Sequence, residues 1–129
     1  MGASLMILGE VLGDVFPEQT IIGGAPYNVA RHCHALGLQV QFLSAVGEDA
    51  LGVRILHEMQ DWGLSTQGVQ TMPDLPTGQV RVHFEPGGHR FEILDAQAYD
   101  ALSLSAMRPV LLRSLADLES IGSLANRHE

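Results

Sequence analysis

Residues 23–52, GGAPYNVARHCHALGLQVQFLSAVGEDALG, decide the fold class of this chain. Pro26 suits the first turn of a helix, where its missing N–H costs nothing. Gly37 stands where such a helix would end. Val29, Ala30, Cys33 and Leu36 fall at helical spacing and are expected to form its buried stripe. Leu38 to Val46 then reads as a core strand stopped by Gly47. Asp49 is a natural N-cap for a helix over Ala50–Trp62, which would bury Leu51, Ile55, Leu56 and Met59 and close at Gly63.

Working outward, Leu5 to Leu8 is a short apolar run closed by Gly9, the mark of a strand buried on both faces. GEVLGDVFPEQ (residues 9–19) reads as a loop, and Thr20 to Ile22 as a short strand entering Gly23-Gly24. Strand, helix, strand, helix predicts a mainly parallel α/β sheet. Beyond it the pattern changes. Val80, Val82 and Phe84 alternate, Pro86-Gly87-Gly88 turns the chain, and Phe91 and Ile93 alternate back. That is a β-hairpin, about 78–94, belonging to a small separate sheet such as a lid. A helical pattern is expected around Met107 to Leu118 and a last strand near Ser120 to Leu124. These elements make roughly half of a doubly wound domain, so the reading is of a truncated larger domain.

Composition bounds the function. Seven Lys and Arg against 15 Asp and Glu leave a net charge of −8, which disfavours nucleic acid and anionic membrane surfaces as partners. The lone Cys33 cannot close an intrachain disulfide, and a reducing, cytoplasmic setting is expected. No run approaches the length of a membrane span.

Three features fall beyond the carboxyl ends of the strands, where open α/β sheets bind ligands. The carboxylate of Asp14 can accept hydrogen bonds from two neighbouring hydroxyls, as gripping a sugar requires. Gly23-Gly24 lets a ligand approach the backbone with no Cβ in the way. Asn28, in the first helical turn, both donates and accepts. Each also has a structural explanation: a loop carboxylate, a tight turn, a capping side chain.

Taken in order, GEVLGDVFP (9–17), GGAPYNVARHCHALG (23–37) and VQFLSAVGEDALG (40–52) resemble the amino-terminal signature of the ribokinase-like, PfkB-family carbohydrate kinases. LPTG at 75–78 fits the same pattern, and AYDAL at 98–102 looks like the fructokinase-type branch. The resemblance implies a partial ribokinase-like doubly wound sheet with an inserted hairpin lid. It implies sugar binding by Asp14, Gly23, Gly24 and Asn28, with Arg81 and Phe91 on the lid and a possible homodimer through that lid. It further implies ATP-dependent phosphorylation of a sugar hydroxyl, fructose first, a ketose or keto-deoxy sugar acid next, with a nucleoside open. The family's catalytic Asp, in a Gly-Ala-Gly-Asp segment, has no counterpart after Gly88, and most of its ATP site belongs to the same absent portion. No catalytic residue is therefore assigned, and ATP and Mg2+ belong to the full-length family without assignable ligands here. A chain of this kind is expected to be inactive alone. The alternatives are a non-catalytic sugar-binding module or an interaction fragment that pairs through its hairpin.

Other signals read as structure. His32 and His34 point to opposite sides of a helix and cannot share a metal. Gly87-Gly88 beside His89 lacks the lysine and the following helix of a phosphate loop. Glu48-Asp49 reads as a helix cap, and Met59 and Trp62 as core.

Overall fold

Leu5 and Ile7 pack on one side of the first strand, β1 (Ser4–Leu8), while Met6 is buried on the other. A strand covered on both faces belongs in the interior of a parallel sheet, and that is its place. The computed structural model describes residues 4–101 and the strand backbone at 118–121. In chain order the elements are β1, β2 (Leu12–Val15), β3 (Thr20–Gly23), α1 (Ala25–Ala35), β4 (Gln39–Gly47) and α2 (Ala50–Trp62). Then come β5 (Val69–Met72), β6 (Gly78–Glu85), β7 (Gly88–Ile93), a 3-10 turn (Ala98–Ala101) and β8 (Leu118–Ile121).

The strands form two sheets. The first, in order β5-β4-β1-β8, is parallel throughout. The second, β3-β2-β6-β7, joins the predicted hairpin β6–β7 to an antiparallel pair β2–β3 through a parallel β2–β6 contact. The α/β class expected from the sequence holds. The loop expected over residues 9–19 is corrected, because Leu12–Val15 pairs on both sides and forms a strand. β5 and the 3-10 turn went unpredicted, and the last strand lies earlier than Ser120–Leu124. The helical pattern around Met107 to Leu118 falls outside the described residues, save Leu118 itself, which opens β8.

The main core lies between the first sheet and the two helices. Leu5, Ile7, Phe42 and Val46 meet Tyr27 and Ala30 of α1 and Ile55 and Met59 of α2. Burying a large aliphatic or aromatic side chain contributes about 1.5–3 kcal/mol, so these contacts fix how the helices lie on the sheet. The stripe of α1 is corrected: Pro26, Tyr27 and Ala30 are buried, whereas Val29 and Leu36 are 42% and 82% exposed. Leu36 is the C-cap, already past the last helical turn, and Val29 falls on the solvent side of a face set by Tyr27. Tyr27 donates its hydroxyl to Glu58 Oε2 at 2.5 Å, tying α1 to α2. Trp62, expected in the core, is instead half-exposed, with the Arg31 guanidinium carbon 4.4 Å from its ring centroid. α2 begins and ends as read. Asp49 caps it by accepting from the Gly52 amide at 2.8 Å, and Gly63 stops it in the left-handed region at φ 81°. Among the described residues no helix is long and apolar enough to cross a membrane.

Candidate functional site

The β2–β3 pair brings Asp14, Gly23 and Gly24 together. Leu12 faces Gly23 and Asp14 faces Ile21 across this antiparallel ladder, so Asp14 and Gly23 are diagonal neighbours on one face. Their closeness is measured by the missing side chain: a Cβ on Gly23 would lie 2.7 Å from Asp14 Oδ2. Gly24 takes φ 106° and ψ 130°, backbone that side chains rarely adopt, and a Cβ there would meet the Glu10 carbonyl oxygen at 2.8 Å. The first glycine therefore makes room for a carboxylate, and the second makes the turn possible.

Gly24 is also the N-cap residue of α1, with Pro26 in the first turn and the Asn28 amide donating to the Gly24 carbonyl at 2.9 Å. Asn28 is exposed and its side chain makes no hydrogen bond within the described residues. Asp14 is half-buried, and burial pushes its carboxyl above the ordinary value of 3.8. A carboxylate partly stripped of water, with no hydrogen-bond donor to it among the described residues, can accept hydroxyl donors from a ligand.

In the second sheet the β6–β7 hairpin continues the ladder that carries Asp14. Val80 pairs with Asp14 on one side and Ile93 on the other, and Val82 pairs with Phe91. Paired residues share a face, so Phe91 lies on the Asp14 side. Arg81, in register with Glu92, lies on the opposite side beside the His83–Glu92 and Arg90–Glu85 pairs. On the Asp14 side a run of rings, Phe16, Phe84, His89 and Phe91, is spaced 5.1 to 6.5 Å between centroids. A cavity of about 360 Å³ opens there, lined by Phe16, Pro17, Glu18, Gln19 and Phe84.

Sequence reading passed over two features. Glu10 is buried, and its Oε2 has no hydrogen-bond partner within the described residues. The burial of an acid is a tertiary property, and only its place after β1 could have drawn notice. The other is Thr77, which is fully buried between the two sheets. Its hydroxyl accepts from the Gly47 amide at 2.8 Å and donates to Asp49 Oδ1 at 2.6 Å, while its amide donates to Asp49 Oδ2 at 2.8 Å. LPTG and VGED are thus halves of one structure. Gly78 in turn abuts the AYDAL segment, since a Cβ there would lie 2.5 Å from the buried Tyr99 ring. Among the described residues no group of three or more His, Cys, Asp or Glu is placed to hold a metal ion, so no step through Mg2+ is derived.

Comparisons with known proteins identify the family and the fold. The chain is 31% identical over 83 residues to the sugar kinase PH1459 of Pyrococcus horikoshii, covering 64% of this chain and 27% of that protein. A crystal structure of PH1459 superposes with a TM-score of 0.83 at 25% identity, over 94% of this chain and 45% of that one. The apo fructokinase of Vibrio cholerae O395 gives a TM-score of 0.73 at 25% identity, over 80% and 38% of the two chains. A guanosine-inosine kinase of Exiguobacterium acetylicum is 36% identical over 52 residues, 40% of this chain and 17% of its own length. The chain thus spans less than half the length of these relatives. Residues 8–122 match the pfkB family of carbohydrate kinases, and the chain belongs to that family.

Proposed function

We propose that this chain is the acceptor-binding part of an ATP-dependent, fructokinase-like sugar kinase. The carrying observation is the Asp14 carboxylate lying against Gly23, 2.7 Å from where a Cβ would stand. In this reading Asp14 accepts two neighbouring sugar hydroxyls, Gly23-Gly24 leaves space for the ring, and the exposed amide of Asn28 takes a further hydroxyl. The β6–β7 lid excludes water so that the sugar, and not water, accepts the phosphoryl group. ATP as donor is supported by the family match and by a structure of the P. horikoshii relative in complex with ATP. Mg2+ would accompany the ATP, as phosphoryl transfer generally requires. No residue of this chain is assigned as the base. A cytoplasmic setting, where ATP is available, belongs to the same proposal.

A homodimer through the lid is part of this reading, supported by the edge strand β7 and by Phe84, Phe91 and Ile93, each more than half exposed. The same exposed edge favours the second reading, an interaction fragment that pairs through its hairpin. Thermal unfolding with fructose, ribose and 2-keto-3-deoxygluconate tests the first reading: at least one should raise the melting temperature. A melting temperature indifferent to all three would remove the acceptor site and leave the interaction fragment.

A further inference from the structure

The two sheets meet at one interlocked set of hydrogen bonds. Asp49 Oδ1 takes the Gly52 amide and the Thr77 hydroxyl, Oδ2 takes the Thr77 amide, and the Thr77 oxygen takes the Gly47 amide. The packing admits no side chain at either glycine. A Cβ on Gly47 would lie 2.4 Å from the Leu75 carbonyl oxygen, and one on Gly52 would lie 2.3 Å from that of Gly47. Burial would by itself raise the Asp49 carboxyl, yet the donors from Thr77 and Gly52 outweigh it and hold the group below its ordinary value. This is a preorganised carboxylate with its bonding partners in place.

Its position gives it a role. Thr77 immediately precedes β6, whose first residues pair Gly78 with Leu12, Gln79 with Gly13 and Val80 with Asp14. Whatever fixes Thr77 fixes the start of that ladder, and through it the strand that carries Asp14. A one-residue slip would turn Val80 to the other face. The far end of the lid is held differently, by the β6–β7 ladder and by exposed pairs such as Arg90–Glu85, which contribute little.

We propose that Asp49 is a positioning residue for the acceptor site, acting through Thr77 to fix the lid strand β6 and hence the place of Asp14. The inference rests on the acceptor-site reading above. A helix cap alone would need only the Gly52 bond. The two further bonds to Thr77, 28 residues away in sequence, serve the lid.

The test separates the cap from the lock. Thr77→Val removes the hydroxyl, keeps the β-branched shape and leaves the Asp49–Gly52 bond intact, while Thr77→Ser restores the hydroxyl. Fructose affinity is measured well below the melting temperature, and amide exchange is followed in parallel. Thr77→Val should weaken fructose binding about tenfold, as expected for a sub-ångström misplacement of a binding group, and Thr77→Ser should recover most of it. Exchange should quicken at residues 12–15 and 78–82 and at the Gly47 amide, which loses its acceptor, and stay unchanged in β1 and in residues 39–46 of β4. Equal affinity in Thr77→Val, or exchange that quickens evenly across both sheets, would overturn the proposal and leave Asp49 a helix cap. If the wild-type chain binds none of fructose, ribose and 2-keto-3-deoxygluconate, the acceptor reading fails while the exchange pattern still decides the lock; if only another of the three binds, the affinity comparison is made with that sugar. Should Thr77→Val not fold, Asp49→Asn carries the same comparison, because Asn caps a helix as well as Asp does.

Discussion

Gly23→Ala is the substitution whose consequence follows most directly from the structure. The new methyl group would sit 2.7 Å from Asp14 Oδ2 and 3.8 Å from Asp14 Cγ, with no other atom within 4 Å among the described residues beyond its chain neighbours. Carbon–oxygen contacts are comfortable only near about 3.3 Å, so the oxygen must retreat by roughly 0.6 Å. That carries a ligand hydrogen bond of about 2.75 Å past about 3.3 Å, beyond useful length. A hydrogen bond to a charged group contributes about 1.5–3 kcal/mol, which is about ten- to a hundredfold in affinity. Stability should barely change, because the clash falls on the end of one short side chain and Gly23 does not need positive φ. Gly24→Ala is the control. Its backbone is a conformation nearly reserved to glycine, worth about 1–3 kcal/mol, and its Cβ meets a carbonyl oxygen that cannot move aside. Isothermal titration with the sugar that stabilises the wild type best, beside thermal melts, reads both effects. The reasoning is refuted if Gly23→Ala binds as tightly as the wild type, or if it melts as low as Gly24→Ala.

Other outcomes follow from the same structure. Gly78→Ala drives a methyl group into the buried Tyr99 ring; overpacking of this kind costs about 1–3 kcal/mol and should lower the melting temperature by about 5–15 °C, visible by circular dichroism. Because burial raises the Asp14 carboxyl above 3.8, sugar affinity should fall on acidification at a pH where an ordinary Asp is still charged. The stability linkage runs the other way: the folded chain holds this proton more tightly, so the group's contribution is full below pH 3.8 and is lost as pH rises through the folded value. A titration of affinity and melting temperature from pH 3.5 to about 7 checks both signs. Phe84→Ser with Phe91→Ser removes two exposed rings from the β6–β7 hairpin and should shift any dimer toward monomer in sedimentation, with little change in melting temperature.

Much of this was legible because it is local. α2 was read from Ala50 to Trp62 with its cap at Asp49 and its stop at Gly63, since capping and left-handed glycines act within a few residues. The hairpin was legible from alternation around a Gly turn, and Gly87 does take φ 88°. Asp14 and the glycine pair were picked out by residue chemistry and by resemblance, and the structure brings them within contact. What escaped depends on partners distant in sequence. LGDV is too short and too Gly-interrupted to look like a strand, yet it pairs with β6 more than 60 residues on. Trp62 looks like core by hydrophobicity but lies half-exposed against Arg31, 31 residues earlier in sequence. Thr77 is an unremarkable turn residue until its partner Asp49 comes beside it.

The central claim is that Asp14 is the carboxylate that grips a sugar acceptor. Its most direct test is isothermal titration of fructose, ribose and 2-keto-3-deoxygluconate into the wild-type chain and into Asp14→Asn, which keeps the shape and removes the charge. The account predicts measurable binding of at least one of these by the wild type, weakened about tenfold or more in the variant, with a melting temperature without ligand no lower than that of the wild type. Sugar binding that is equally strong in Asp14→Asn would contradict it.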